Sequence, residues 1–264
     1  MRRDAITDEI AQLDPIADHL RIVYLVGTRE FPFTTQRSLE MALFRTFASE
    51  RIAALLDRTG QFAHAGQKRY DDTMLIIAEI AEFGYDSERG AAAIRIMNRM
   101  HRRYAIANED FLYVLSTFAI EPIKWNHALG WRLSTAGERL ANFTFWQEVG
   151  RRMGIHDIPA TLEDLWRFQM DYETRYFKFS AASQRVGQAG LAIFTQWFPA
   201  LMRPLVRTVV YGLLDDMLLT AFGFPHPPQW WRKLLYRAMR LRAWAVGLVH
   251  PSGKPYSVTA LRSR

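Results

Sequence analysis

Glycine and proline punctuate this chain at short intervals, and the stretches between them carry apolar residues at helical rather than alternating spacing. The breakers are Pro32, Gly60, Gly66, Gly84, Gly90, Pro122, Gly130, Gly154, Pro159, Gly187, Gly190, Pro199, Pro204 and the Pro225, Pro227, Pro228 cluster. Between them the periodicity predicts helices near 37–58, 67–83, 87–104, 108–119, 135–153, 161–178, 180–197, 205–222 and 229–247. Strand signals, short alternating runs bounded by turn residues, are scarce. Two helix starts carry capping chemistry. Ser134 or Thr135 precedes Glu138, and Thr161 precedes Glu163 and Asp164, whose charge suits a helix N-terminus. The expectation is an all-α protein. One multi-helix domain covers 1–224, followed by a C-terminal amphipathic helical extension over 225–264. No repeat or low-complexity linker divides the chain.

Charge separates the same two parts. The 264 residues hold 34 Lys and Arg against 27 Asp and Glu, a net charge of +7. No acidic residue follows Asp216, so 217–264 carries +8 and the first 216 residues carry −1. A dedicated nucleic-acid binder spreads its charge over the folded domain, so no nucleic-acid partner is expected. The absence of cysteine excludes disulfides, thiol catalysis, iron–sulfur clusters and cysteine-based zinc sites. The N-terminus lacks the apolar core of a secretory signal. Arg203 and Arg207, then Asp215 and Asp216, interrupt the longest apolar runs, so no membrane-spanning helix is expected. The expected location is cytoplasmic, with peripheral attachment to a membrane as an added possibility.

Two residues stand out on helical faces. Arg69, Thr73, Ile76 and Ile80 share one face of 67–83, apolar toward its C-terminal end. A guanidinium there needs an anion, because an unpaired buried charge is costly. The anion is either a carboxylate of the protein, Asp72 or a distant Glu, or part of a ligand. In 88–104, Ile94, Met97, His101 and Tyr104 form one face. His101 is then either a core histidine bonded to a backbone carbonyl or an axial ligand of haem iron, which needs only one inward histidine. The remaining histidines form no H-x-x-x-H pattern, against a helical zinc or di-iron site. Phosphate-loop, dinucleotide-loop and G-x-S-x-G motifs are absent. The carboxylates of 164–173 read as solvated helix faces.

Six short motifs occur in order: Thr59–Gln61 (TGQ), Arg69–Thr73 (R-x-x-x-T), Met97–His101 (M-N-R-M-H), Asn108–Phe118, Gly130–Glu138 (G-W-R-L-S-x-x-x-E) and Met153–Pro159 (M-G-I-x-D-I-P). Their order and spacing over roughly 20–195 resemble the MpaB-type oxygenases, a family related to the latex-clearing rubber oxygenases. The resemblance implies a haem pocket between helices. His101 would be the proximal ligand of haem b, with Arg69 and Thr73 lining the pocket. A lysine that precedes this threonine in rubber oxygenases is replaced by Asp72, which argues against a lysine-capped resting state. For the distal glutamate that serves as a base in rubber oxygenases, the nearest residue in sequence is Glu50. The implied activity is cleavage of a carbon–carbon double bond by O2 in an isoprenoid or another hydrophobic, unsaturated small molecule. Two other classes stay open: a haem-binding sensor or carrier without catalysis, and a cofactor-free lipid-binding protein at a membrane surface.

The tail helix 229–247 is amphipathic. Trp231, Leu234, Leu235, Ala238 and Ala245 gather on one side and Lys233, Arg237 and Arg240 on the other. Such a helix either lies on an anionic membrane surface or packs on the domain with its charges in water.

Overall fold

The computed structural model describes residues 3–248 and 255–262. Among them the architecture is all-α and a single domain, with no strand beyond one isolated bridge. The helices are α1 (Arg3–Gln12), α2 (His19–Leu25), α3 (Pro32–Thr46), α4 (Glu50–Thr59), α5 (Gln61–Phe83), α6 (Glu88–His101), α7 (Asn108–Leu129), α8 (Ala136–Met153), α9 (Leu162–Tyr176), α10 (Ala181–Gln196), α11 (Arg203–Leu213), α12 (Asp216–Phe222), α13 (Gln229–Leu248) and α14 (Val258–Arg262). The most extensive pairings are α3 with α7, α5 with α6, α2 with α8 and α4 with α10. One large core joins α3 to α12, including Phe44, Phe145, Leu165 and Phe222. A smaller cluster of Ile6, Ile10, Ile22 and Leu25 seals α1 and α2 onto Ala141 of α8.

The predicted caps are present. Thr135 and Glu138 form a reciprocal capping box, and the Thr161 hydroxyl accepts from Asp164 N. Three predicted helices differ from what is observed. The 37–58 segment is two helices, α3 and α4, broken at Phe47–Ser49 without glycine or proline. Ser49 instead bridges Phe177 through its backbone and shares a 2.9 Å hydrogen bond with the Tyr172 hydroxyl. The 205–222 segment also breaks, at Leu214, because Asp215 turns to cap α12 and to reach Arg45. Conversely, α7 runs ten residues past 119 despite Pro122. A proline inside a helix costs about 3 kcal/mol, but Ile120, Ile123, Trp125 and Leu129 beyond or beside it are buried and favour continuation.

The basic tail lies against the bundle. Trp231 Nε1 donates to Thr208 O of α11 at 3.1 Å, Arg232 pairs with Asp216 at 2.7 Å, and Arg242 stacks over Phe33 at 3.7 Å. Trp231 and Leu235 therefore face the protein, contrary to a free apolar side built from them. A different strip points outward: Trp230, Leu234, Leu241, Trp244 and Leu248. Exposed Lys233, Arg237 and Arg240 lie within or beside it. Residues 249–254, 263 and 264 of the predicted extension lie outside the described residues.

Candidate functional site

The site begins with a helical hairpin. α5 ends at Phe83 and α6 starts at Glu88. His101 is thirteen residues into α6, and Tyr70 is thirteen residues before the end of α5. Equal rise per residue then sets His101 opposite the Arg69–Tyr70 turn. The hairpin closes tightly at its base. Gly84 adopts φ +82°, and a Cβ on Gly90 would meet the Gly84 carbonyl oxygen at 2.0 Å, so this approach requires glycine.

His101 is the last residue of α6 and is half-buried, with its ring edge-on to Phe111 at a centroid distance of 5.2 Å. Burial, and secondarily the positive charge of Arg69, push its pKa down to about 4. The imidazole is therefore neutral near pH 7. Its Nδ1 is buried and has no hydrogen-bond partner. The backbone-carbonyl bond expected of a purely structural core histidine is thus not made among the described residues.

Arg69 is half-buried, and its guanidinium has no ion pair or hydrogen bond among the described residues. Asp72, the partner that spacing allowed, pairs with Lys68 at 2.6 Å instead. The Thr73 hydroxyl donates to the Arg69 carbonyl at 2.9 Å, which leaves its oxygen lone pairs as acceptors. Glu50 starts α4 directly after the Ser49 break. Its carboxylate has no partner among the described residues, and no described interaction joins it to His101 or Arg69. The hairpin thus brings His101 and Arg69 together, with Thr73 one turn further along α5, whereas no described interaction sets Glu50 of α4 beside them.

The donor set is of the kind that haem would use. No cluster of three or more His, Asp or Glu side chains capable of holding a bare metal ion occurs among the described residues. Haem asks the protein for one neutral imidazole and carries anionic propionates. A neutral, unpartnered histidine beside an unpartnered arginine matches both requirements.

Sequence reasoning missed the most heavily charged part of the interior. Glu173, expected on a solvated face, is buried. It accepts from Arg45 Nε and Nη2 at 2.6 Å each, from Gln169 at 2.8 Å and from the Tyr113 hydroxyl at 3.2 Å. Arg45 also reaches Asp215 and lies 3.9 Å from Glu121. Asp164 and Asp171 are exposed as expected. The available signal was the spacing of Gln169 and Glu173, one turn apart on the face that carries buried Leu165 and Tyr172.

Several of the six motifs hold this frame. Gly60 turns left-handed between α4 and α5, Asn98 donates to Arg152 O at 2.9 Å, and Asn108 exchanges two hydrogen bonds with the backbone of His156. Arg132 binds Glu30 at 2.8 Å and Glu138 at 2.6 Å, uniting the turn after α2 with the cap of α8.

These features define a helical protein with one candidate single-imidazole site. Residues 38–246 match the family described as ER-bound oxygenase mpaB/B'/rubber oxygenase, catalytic domain, and the chain belongs to that family. It is 27% identical to the ER-bound oxygenase mpaB' of Penicillium brevicompactum over 84% of this chain and 57% of that protein. It is 30% identical to the ER-bound oxygenase mpaB of Penicillium roqueforti (strain FM164), over 73% of this chain and 70% of that protein. To the mpaB of Penicillium brevicompactum it is 33% identical over 56% of this chain and 42% of that protein. The chain thus spans little more than half of the first relative.

Proposed function

We propose that this protein is a haem b-dependent oxygenase that uses O2 to cleave a carbon–carbon double bond in an isoprenoid or another unsaturated lipid. The observation that carries the reading is the pair His101 and Arg69, close together and both without a protein partner. Membership of an oxygenase family supports it. Bound haem supplies the redox chemistry of O2 that side chains cannot. The chain's own residues do the rest. His101 stays neutral at physiological pH and so offers a lone pair to the iron. Arg69 neutralises an anionic edge of the cofactor. Thr73 presents an acceptor oxygen one turn from Arg69, and Glu50, whose carboxylate has no partner among the described residues, is the proposed proton acceptor. With Asp72, paired to Lys68, where rubber oxygenases carry a lysine, that position would offer the iron no amine.

A lipid substrate points to a membrane surface as its source. Among the described residues no helix is long and apolar enough to cross a membrane. The exposed strip Trp230, Leu234, Leu241, Trp244, flanked by Lys233, Arg237 and Arg240, supports docking on an anionic bilayer. The triple substitution Trp230→Ser, Leu241→Ser, Trp244→Ser removes the outward strip and leaves the domain-facing side of α13 intact. It is expected to abolish flotation with phosphatidylserine-containing vesicles; unchanged flotation overturns the docking.

The first test of the haem reading is the absorption spectrum of protein expressed with a haem precursor. A Soret band is expected, and His101→Ala should lose it while keeping its helical circular dichroism. A colourless wild-type protein defeats the reading. Catalysis is then tested with O2, a reductant and polyprenoids, and carbonyl products are expected. A haem-loaded protein without products across such a panel shifts the assignment to a sensor or carrier.

A further inference from the structure

A cavity lies on the flank of α5 away from Arg69 and Thr73. It has a volume of about 120 Å³ and is enclosed by α2, α3, α5, α7 and α8. Met74, Ile77, Ala78 and Ala81 supply the α5 wall, whereas Arg69, Thr73 and His101 do not line it. Its other walls are mostly apolar, with Leu39, Ile123, Phe145 and Trp146 among them. The turn after α2, Val26–Glu30, is wound as a π-helix, and Val26, Gly27 and Thr28 from it border the cavity. Such local widening of a helix occurs frequently at functional sites.

The mouth is roofed by the C-terminal segment. Tyr256 N donates to Thr28 O at 3.0 Å, and its hydroxyl bonds Gln36. Glu82 accepts from Val258 N at 2.8 Å and from the Ser257 and Thr259 hydroxyls at 2.6 Å each. Tyr256 and Val258 thereby become part of the lining.

The charges of the lining are unequal in their engagement. Glu82 is occupied by α14, and Glu138 by Arg132 and the Thr135 cap. Arg139 donates only to the Ser134 carbonyl at 2.6 Å and has no carboxylate partner among the described residues. The cavity therefore combines apolar walls, one cation without a carboxylate partner among the described residues and a roof bonded to Thr28 and Glu82. Burial of methylenes gives affinity for a chain, and a charge-assisted hydrogen bond selects an anionic head.

We infer that this cavity binds a short-chain carboxylate of about six carbons, the size its volume admits, with the chain between α5 and α7 and the carboxylate on Arg139. The site is separate from the proposed haem site and does not depend on it.

The test is calorimetric titration of the 264-residue chain with hexanoate and, separately, hexanol. Hexanoate should bind one-to-one and more tightly than hexanol. Arg139→Gln should weaken hexanoate about tenfold, the loss of one hydrogen bond to a charged group, and leave hexanol unchanged. Ala81→Phe, at the half-buried edge of the wall, should block both. Equal affinity of the two ligands, or no effect of Arg139→Gln, overturns the assignment of the head group. Undiminished binding to a folded Ala81→Phe protein overturns the location. Loss of the Soret band in His101→Ala leaves all these outcomes unaltered, so this inference and the haem reading fail independently.

Discussion

Arg45 and Arg69 are arginines on neighbouring helices of one bundle, α3 and α5, and their surroundings are opposite. Arg45 is buried among Glu173, Asp215 and Glu121, with Tyr113 and Gln169 completing the shell around Glu173. Those carboxylates hold its pKa well above the usual arginine range despite burial. Arg69 is half-buried beside a histidine that also lacks a partner. A charge whose shell is complete belongs to the frame. A cation left without an anion, next to an imidazole left without a hydrogen bond, has a shell that the protein does not complete. Total charge does not separate the two regions; completeness of the hydrogen-bonding shell does.

The largest effect should come from breaking the complete region. Arg45→Met leaves Glu173, Glu121 and Asp215 without their shared cation, and removing one partner of a buried pair costs about 3–5 kcal/mol. Urea unfolding followed by circular dichroism reads this directly. A loss below about 1 kcal/mol, the range of exposed pairs, would remove the distinction between the regions.

The incomplete region should respond to pH instead. The pKa of His101 falls from 6.5 unfolded to about 4 folded. Between these values the unfolded chain binds a proton that the folded apoprotein does not. Its stability therefore falls as pH drops from 6.5 toward 4, with a slope of up to about 1.4 kcal/mol per pH unit from this group. Below pH 4 both states are protonated and the contribution levels off; above pH 6.5 neither is. His101→Phe keeps an apolar ring and should flatten this part of the profile. An unchanged slope would mean that His101 is not the neutral, desolvated group described here.

The sequence made the incomplete region legible and hid the complete one. Helical spacing was sufficient to put Arg69 and Thr73 on one face and His101 on another, and the short turn at Gly84 then brought the two faces together. Helix ends with local chemistry, such as Thr135 with Glu138, were also readable. The break at Ser49 was not, because its cause is Tyr172 and Phe177, more than a hundred residues away. Glu173 was misread for the same reason. Whether a carboxylate meets water or Arg45 depends on how α9 settles against α3 and α7, and one helix's periodicity does not carry that information. On α13 the amphipathic pattern was visible, but which of its two apolar sides the bundle takes was decided by α11 and Asp216.

The smallest stability effect should come from Arg69, and its smallness is informative. Arg69→Met removes a half-buried guanidinium that has no protein partner among the described residues and keeps an unbranched apolar side chain in its place. No carboxylate is left uncompensated by the change, so stability of the apoprotein should stay within about 0.5 kcal/mol of wild type. The same substitution should weaken haem retention about tenfold, the order expected for one charge-assisted hydrogen bond, measured as transfer of haem to apomyoglobin followed at the Soret band. If Arg69→Met unfolds the protein as readily as Arg45→Met, Arg69 has a structural partner and the contrast between the two arginines collapses. If stability and haem retention both stay at wild-type values, Arg69 is a bystander and His101 alone must hold the cofactor.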